Sequence, residues 1–389
     1  MKVGIVGLPG SGKTTLFKAL TRGSVSAESF QSGRANVGVI HVPDRRVDFL
    51  AAEYKPKKVT YAGIEFVDGA ARVAHEEGRA RFGSDFFADV RQVDALVPIV
   101  RGFDGPSGEP ATPVRDLHEL RDELALADLG AVENRMERVE KQLHGVKKGV
   151  TTPEAIEMEL LERIHAVLEE GRPLSSVELT PDEEKSVRGY DFLTLKPMIA
   201  VLNIPEDVIS SSARNPLLAE PPEKQISHCV RNDGASEIGA PSDANLDFRR
   251  YCEQESIPEV ELCAQVEMEV SEFSDEEEAE FLESMGIKEP ARNVLIRECY
   301  KALGLISFIT AREAEVRAWT LKEGSRAIDA AGTVHTDLAR GFIRAEVASF
   351  ADVETAGGWE AAKQKGLVQL HGKDYVVKDG DVIYVRFKV

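Results

Sequence analysis

The chain has 389 residues, a formal net charge of −19 and 30% charged residues. That length predicts two or three domains with ample core, and the acidity excludes a broad electrostatic grip on nucleic acid. No stretch nears the roughly 20 uninterrupted apolar residues of a membrane span, and Cys229, Cys252, Cys263 and Cys299 show neither zinc-ligand spacing nor a disulfide framework.

Residues 1–6 read as a short apolar strand that begins at once, which predicts no signal peptide and a cytoplasmic protein. Gly7-Leu8-Pro9-Gly10-Ser11-Gly12-Lys13-Thr14 then satisfies the phosphate-loop pattern, and residues 15–20 read as the helix that must follow it. Backbone N–H groups of such a turn, with the positive end of the helix, cradle a polyphosphate. Pro9 to Thr15 are therefore expected around the phosphates. Lys13 should reach the β- and γ-phosphates, and the Thr14 hydroxyl should bind Mg²⁺. Strands are expected at 35–42, at 60–67 (ending in Asp68), at 95–100 and at 197–202 (ending at Asn203), with helices at 46–54 and 86–93. Short apolar strands alternating with helices argue for an α/β, doubly wound parallel sheet.

The block between the last two of those strands differs. Leu129, Val132, Met136, Val139 and Leu143 recur at threes and fours, and Ile156, Leu160, Ile164, Val167 and Leu168 make a second stripe. The economical reading is a coiled-coil hairpin turning at 145–149; an amphipathic pair packed on the core is the plainer one. Residues 208–245 are rich in Ser, Pro, Gly and Asn and read as a loop or partly disordered insertion. The acidic run from Asp275 to Glu278 follows Ser274 and should open a helix, where negative charge suits the N-terminal dipole. From Gly304 onward strands are expected at 315–321, 341–347, 375–377 and 382–387, punctuated by Gly332 and Gly380. This stretch balances its charges, with 12 Lys/Arg against 12 Asp/Glu, so the whole acidic excess lies upstream.

Asp68, at the end of an apolar strand, is placed to hold Mg²⁺ directly or through water; alone it would equally suit a turn before Gly69. Asn203 and Glu206 are three apart after a buried strand, so an amide and a carboxylate can converge on a purine edge. Together these motifs resemble the YchF (Obg-like ATPase) branch of the P-loop NTPases related to translation factors. The resemblance runs nearly end to end. It is carried by the phosphate loop, Asn36-Val37-Gly38-Val39, Lys55-Pro56-Lys57-Lys58, Ile64-Glu65-Phe66-Val67-Asp68 and the stretch from Glu123 to Leu129. It continues through Asn203 to Asp207, Val316 to Thr320, His335-Thr336-Asp337, Gly341 to Val347 and Gly380-Asp381-Val382. It implies a Ras-like NTPase domain at 1–115 and 192–303, a helical coiled-coil insertion at 116–191, and a C-terminal TGS domain of ubiquitin-like β-grasp fold at 304–389. It also implies ATP in preference to GTP, Mg²⁺, and association with the ribosome. Cys263 and Ala264 fall where the last base-contacting loop of that family lies.

Guanine selectivity needs an Asn-Lys-x-Asp element, whose Asp accepts from the ring and exocyclic N–H groups. Here Ile204 replaces the Lys and Glu206 the Asp, and a site without the matched acceptor loses guanine selectivity. Other departures from the family bear on rate. Ala71 replaces the glycine whose N–H faces the γ-phosphate, and Arg72 replaces a hydrophobic residue. Arg72 is read either as an internal arginine finger or as a solvated switch residue. Gly10 stands in place of an asparagine linked to potassium, and Ser32 corresponds to the switch threonine near the metal. The leading expectation is a slow ATPase acting as a nucleotide-dependent switch. An ATP-binding module with little hydrolysis and a GTPase are the alternatives.

Overall fold

The computed structural model describes residues 1–22, 36–68, 73–76, 79–144, 152–206, 242–285 and 287–388. Ser32, Gly69 to Arg72, the hairpin turn at 145–149 and most of the 208–245 insertion lie outside them. The chain divides into two compact units, Met1–Gly38 with Phe66–Arg292 and Val39–Glu65 with Asn293–Val389.

Six strands form the first sheet: β1 (Lys2–Val6), β2 (Asn36–His41), β4 (Gly63–Asp68), β7 (Ala95–Arg101), β8 (Ala200–Asn203) and β9 (Glu259–Leu262). Their order is β2-β4-β1-β7-β8-β9, and the pairings β1–β7, β7–β8 and β8–β9 are parallel. β3 (Val59–Thr60) belongs to a second sheet, while β5 (Val73–Glu76) and β6 (Arg79–Phe82) pair as an antiparallel hairpin with no counterpart in the sequence reading. Val3, Ile5, Leu96, Val97, Ile99, Val201 and Leu202 are fully buried. That is why these strands read as unbroken apolar runs rather than alternating ones. Strand order reverses direction about β1, so ligands are expected beyond the carboxyl ends of β1, β7 and β8.

Helices cover this sheet: α1 (Lys13–Thr21), α3 (Ser84–Arg91), the start of α4 (Pro113–Leu143) and α7 (Asp243–Gln254). Phe82, Phe86, Val90, Leu120 and Leu124 build one cluster with β1 and β7; Leu117, Phe248 and Cys252 build another with β7 and β8. The expected helix pair is α4 with α5 (Pro153–Glu169). Val132, Val139, Leu160, Ile164 and Leu168 are buried in its seam, with Leu129, Met136, Leu143 and Val167 half-buried beside them. Two differences from the periodicity stand out. Ile156 is 57% exposed, and the seam is also sealed by Leu174, Val187 and Phe192 from the segment after α5. A partner from outside the pair explains why the apolar stripe is wider than a two-helix seam needs. Asp128 anchors the base of the pair. Fully buried, it accepts from the N–H groups of Leu193 and Thr194 at 3.0 and 2.8 Å.

The insertion reading ends early, because Ser242 caps α7 through the N–H of Asn245. α8 (Ala264–Val270) and α9 (Asp275–Ser284) follow β9. The acidic run does open α9, with a reciprocal cap between Ser274 and Glu277.

In the second unit the sheet order is β13-β12-β14-β10-β11-β3. Its strands are β10 (Leu305–Ala311), β11 (Val316–Lys322), β12 (Phe342–Ser349), β13 (Gln369–His371), β14 (Asp381–Phe387) and β3. β10–β11 is an antiparallel hairpin, and β14 lies parallel to β10 and antiparallel to β12. α11 (Ala327–Val334) presents Ala327, Ala330 and Ala331 to Phe308, Phe342, Val347 and Ile383, which makes this a β-grasp. Gly332 sits inside that helix rather than between strands. Residues 375–377 make only an isolated bridge, Val376 to Arg326.

The expected partition at residue 304 differs from the observed units. Val39–Glu65, read as part of the NTPase domain, packs with the C-terminal unit. β3 extends that unit's sheet by pairing with β11 (Val59 with Val316, Thr60 with Arg317). α2 (Arg45–Tyr54) is capped by Asp44, and the Arg46 guanidinium bridges Asp44 at 2.8 Å and Asp379 at 2.7 Å. Asp379 also accepts from the N–H of Ser307 at 2.8 Å. Phe49 meets Phe350 edge-on.

β9 carries Glu259 and Glu261 on one face, both beside Arg249 of α7. Burial, and then the charge of Glu261, push the Glu259 carboxyl up to about 7 against the pull of Arg249. A folded-state pKa above the unfolded value favours the fold while the group is protonated. That stability is complete below the unfolded carboxylate pKa and is lost as pH rises through about 7. Glu259→Gln should therefore remove a loss of about 1–3 kcal/mol between pH 5 and pH 8. Denaturant titrations across that range check this; parallel pH profiles for the two proteins would contradict it.

Candidate functional site

The phosphate loop leaves β1 through Gly7, at φ 152°, where an added Cβ would lie 2.4 Å from the carbonyl oxygen of Ile99. It enters α1 through Gly12, at φ 99°, where a Cβ would lie 2.3 Å from Nδ2 of Asn203. Only glycine meets both demands, of backbone and of space. Gly12 is the N-cap of α1 and supplies no side-chain oxygen, so the N–H groups of the first turn stay available to an anion. The Ser11 hydroxyl is buried and lacks a hydrogen-bond partner among the described residues. An orphaned donor beside uncapped N–H groups fits a phosphate cradle.

Lys13 leads into this cradle. Its Nζ donates to the carbonyl oxygen of Leu8 at 2.9 Å. Burial lowers its pKa, and the neighbouring Asp68 carboxylate opposes that shift. Asp68, 6% exposed at the end of β4, is raised by burial and held down by Lys13 and by Thr14, whose Oγ1 donates to Oδ2 at 3.4 Å. The structure thus brings Lys13, Thr14 and Asp68 together. A hydroxyl and one carboxylate suit Mg²⁺, a hard cation that takes its other oxygens from phosphate and water rather than from a protein cage. No cluster of three or more His, Cys, Asp or Glu able to hold a metal occurs among the described residues.

Asn203 is held within the protein at both ends of its amide. Its side chain is 5% exposed and committed at both ends: Nδ2 donates to the carbonyl oxygen of Ser11 at 2.8 Å, and Oδ1 accepts from the N–H of Ala264 at 2.9 Å. It is a staple joining the phosphate loop to the start of α8, with one N–H left for a ligand. Cys263 is the N-cap of α8 and supplies no cap, so the Asn203 oxygen performs that service from β8. Glu206 is exposed near Cys263; burial raises the Cys263 thiol, and the Glu206 charge adds to the rise. Asn203, Cys263 and Ala264 therefore border the phosphate loop together. Arg72 and Ser32 lie outside the described residues.

Sequence reasoning missed a polar cluster behind this site. Arg292 pairs with Glu267 at 3.0 Å and with Glu278 at 2.6 Å, and Glu278 also meets Arg22 at 3.1 Å. Glu278 was legible only as one of four acidic residues in a row. Its burial on the inner face of α9 gave no signal in composition.

Residues 2–136 match the family described as 50S ribosome-binding GTPase, and residues 305–388 match the YchF-GTPase C-terminal family, described as a protein of unknown function. The chain is 38% identical over 394 residues to the ribosome-binding ATPase YchF of Pasteurella multocida, covering 100% of this chain and 99% of that one. It is 36% identical over 396 residues to the protein of that name from Bacillus subtilis, covering all of both. Among solved structures, the Schizosaccharomyces pombe YchF GTPase aligns with a TM-score of 0.81 and 26% identity, over 99% of this chain and 97% of that one.

Lys13→Ala removes a charge aimed into the cradle and no core contact. It should weaken triphosphate binding by about 10- to 100-fold and leave the melting temperature nearly unchanged. Asp68→Asn should weaken binding in Mg²⁺ far more than binding in EDTA. Calorimetric titration measures both; equal affinity in wild type and Lys13→Ala would reduce the loop to a structural relic.

Proposed function

This chain belongs to the YchF family, and from that premise we propose that it binds ATP with Mg²⁺, hydrolyses it slowly, and acts as a nucleotide-dependent switch at the ribosome. The observation that carries this is the cradle itself. The orphaned Ser11 hydroxyl, the uncapped α1 N-terminus, Lys13, and the Thr14–Asp68 pair converge at the carboxyl ends of β1 and β4. Thr14 and Asp68 would hold the metal, whose role is to neutralise charge on the phosphates. Lys13 would hold the β- and γ-phosphates, and Asn203 would keep the loop in shape for them.

The choice of base rests on β8 and its successor. Ile204 is 3% exposed and occupies the place of the lysine in guanine-selective sites, so no cation is offered from that position. Glu206 is one methylene longer than the acceptor that guanine needs. Both features favour ATP. The bacterial relatives are named ATPases and the fission-yeast structure a GTPase, so the distinction needs measurement on this chain.

Ribosome association is taken from the names of the relatives, and the charge distribution is compatible with it. Residues 39–65 and 293–389 hold 19 Lys/Arg and 17 Asp/Glu, against 29 and 50 in the remainder. The second unit is thus the one an RNA-rich surface repels least. Contact there would be local and led by shape, with few phosphates neutralised and a shallow salt slope. Such a protein works in the cytoplasm, and no helix among the described residues is long and apolar enough to cross a membrane.

Single-turnover hydrolysis with ATP and GTP side by side should show ATP turned over and GTP bound more weakly. Faster or tighter GTP would assign a GTPase, and tight ATP binding without phosphate release a conformational module. Co-sedimentation with ribosomal particles should depend on a non-hydrolysable ATP analogue; its absence in every nucleotide state would remove the ribosome from the proposal.

A further inference from the structure

Four segments of the first unit are joined by charged side chains into a closed circuit that begins and ends at the phosphate loop. α1 starts at Lys13, and Arg22 follows its last residue. Arg22 Nη2 lies 3.1 Å from Glu278 Oε2 on α9, and Nη1 lies 3.3 Å from Asp275 Oδ1. Glu278 Oε2 lies 2.6 Å from Nη2 of Arg292, near the start of α10 (Ala291–Ala302). Arg292 Nη1 lies 3.0 Å from Glu267 Oε2 on α8, and the other oxygen of Glu267 accepts from the N–H of Ala291 at 2.7 Å. Glu267 is three residues, about one helical turn, beyond Ala264. The N–H of Ala264 then meets Asn203, and Asn203 returns to Ser11.

The centre of this circuit is buried. Arg292 is 2% exposed, and Glu267 and Glu278 are 8% exposed each. Buried ion clusters add little net stability over well-packed apolar residues, because desolvation offsets the attraction. What they add is geometry: the Nη1 hydrogen bond to Glu267 is directional, while Nη2 meets Glu278 as a close ion pair without hydrogen-bond geometry. The direction fixed here is that of α8, whose first N–H groups and Cys263–Ala264 turn border the phosphate loop.

We propose that Arg292 is a positioning residue for base recognition, holding the start of α8, and through it Asn203, in register with the phosphate loop. This rests on the reading that the Cys263–Ala264 turn borders the nucleotide base. It assigns a role in nucleotide choice to a residue that touches neither base nor phosphate.

The test compares ATP with inorganic tripolyphosphate, which fills the cradle but has no base, each titrated with Mg²⁺ into the full chain. Wild type should bind ATP more tightly than tripolyphosphate. Arg292→Met should lose about tenfold in ATP affinity, the scale of one hydrogen bond to the base, while tripolyphosphate affinity holds and the preference for ATP over GTP narrows. Arg292→Lys should restore most of the loss. If Arg292→Met does not fold, Glu267→Gln, which keeps the side-chain volume and the oxygen facing Ala291, carries the same comparison. Unchanged ATP affinity in a folded variant, or parallel losses for ATP and tripolyphosphate, would overturn the proposal. A wild type that binds ATP no better than tripolyphosphate would instead overturn the reading of the base site, and the proposal with it.

Discussion

The amide of Asn203 is the constraint on which the nucleotide site depends. One buried side chain spans Ser11 and Ala264, segments more than two hundred residues apart in sequence. Both bonds are made within the protein, so the loop reaches its shape before any ligand arrives. A ligand that meets a preformed cradle avoids the cost of ordering it. Gly12 is the counterpart of this arrangement, since any Cβ there would occupy the space of the Asn203 amide. The staple and the glycine are one feature seen from β8 and from the start of α1.

On the opposite side of the loop, the Thr14–Asp68 pair sets the second boundary. Lys13 and Asp68 perturb one another, the ammonium favouring the carboxylate and the carboxylate the ammonium, while burial works against both charges. Such mutual dependence is typical of a site awaiting a polyanion and a divalent cation, which bring their own charge to the balance. The helical pair is held by an apolar seam, with an ion pair between Arg135 and Glu157 across it. A leucine and valine seam is closed by Phe192 and Leu174, and buried Asp128 at its base accepts from backbone N–H groups and lies 3.5 Å from Arg91.

Much of this was legible in the sequence, for physical reasons that also mark its limits. The phosphate loop, the buried strands β1, β7 and β8, the helix pair and the capped start of α9 all have local causes: glycine conformation, apolar runs, periodicity and a Ser-x-x-Glu cap. β10 was passed over although Leu305 to Ile309 is strongly apolar, because a short buried run does not distinguish strand from helix. α11 was missed for a related reason. Gly332 reads as punctuation, yet it is accommodated inside an alanine-rich helix facing Phe308 and Phe342. The two internal bonds of Asn203 were not legible, because a sequence shows an amide but not what already occupies it. Arg292 carried no local sign at all; its meaning comes only from carboxylates on two other helices.

The membership of Val39–Glu65 in the second unit has a consequence for how the protein is made. This arm is synthesised well before β10, β11 and Asp379, which complete its surroundings and follow it by about 240 to 310 residues, counted from Glu65 to Leu305 and to Asp379. At roughly 5–20 residues per second that interval is on the order of tens of seconds. Val47 and Leu50, fully buried in the finished protein, must pass that time without their final neighbours. β2 and β4, the strands that flank the arm, belong to the first sheet. Neither compact unit is a continuous stretch of chain, so folding cannot proceed as a simple N-to-C succession of finished domains. A premature stop before β10 would leave more than a missing tail. It would leave an orphaned arm within the N-terminal sequence, a natural target for chaperones and proteases.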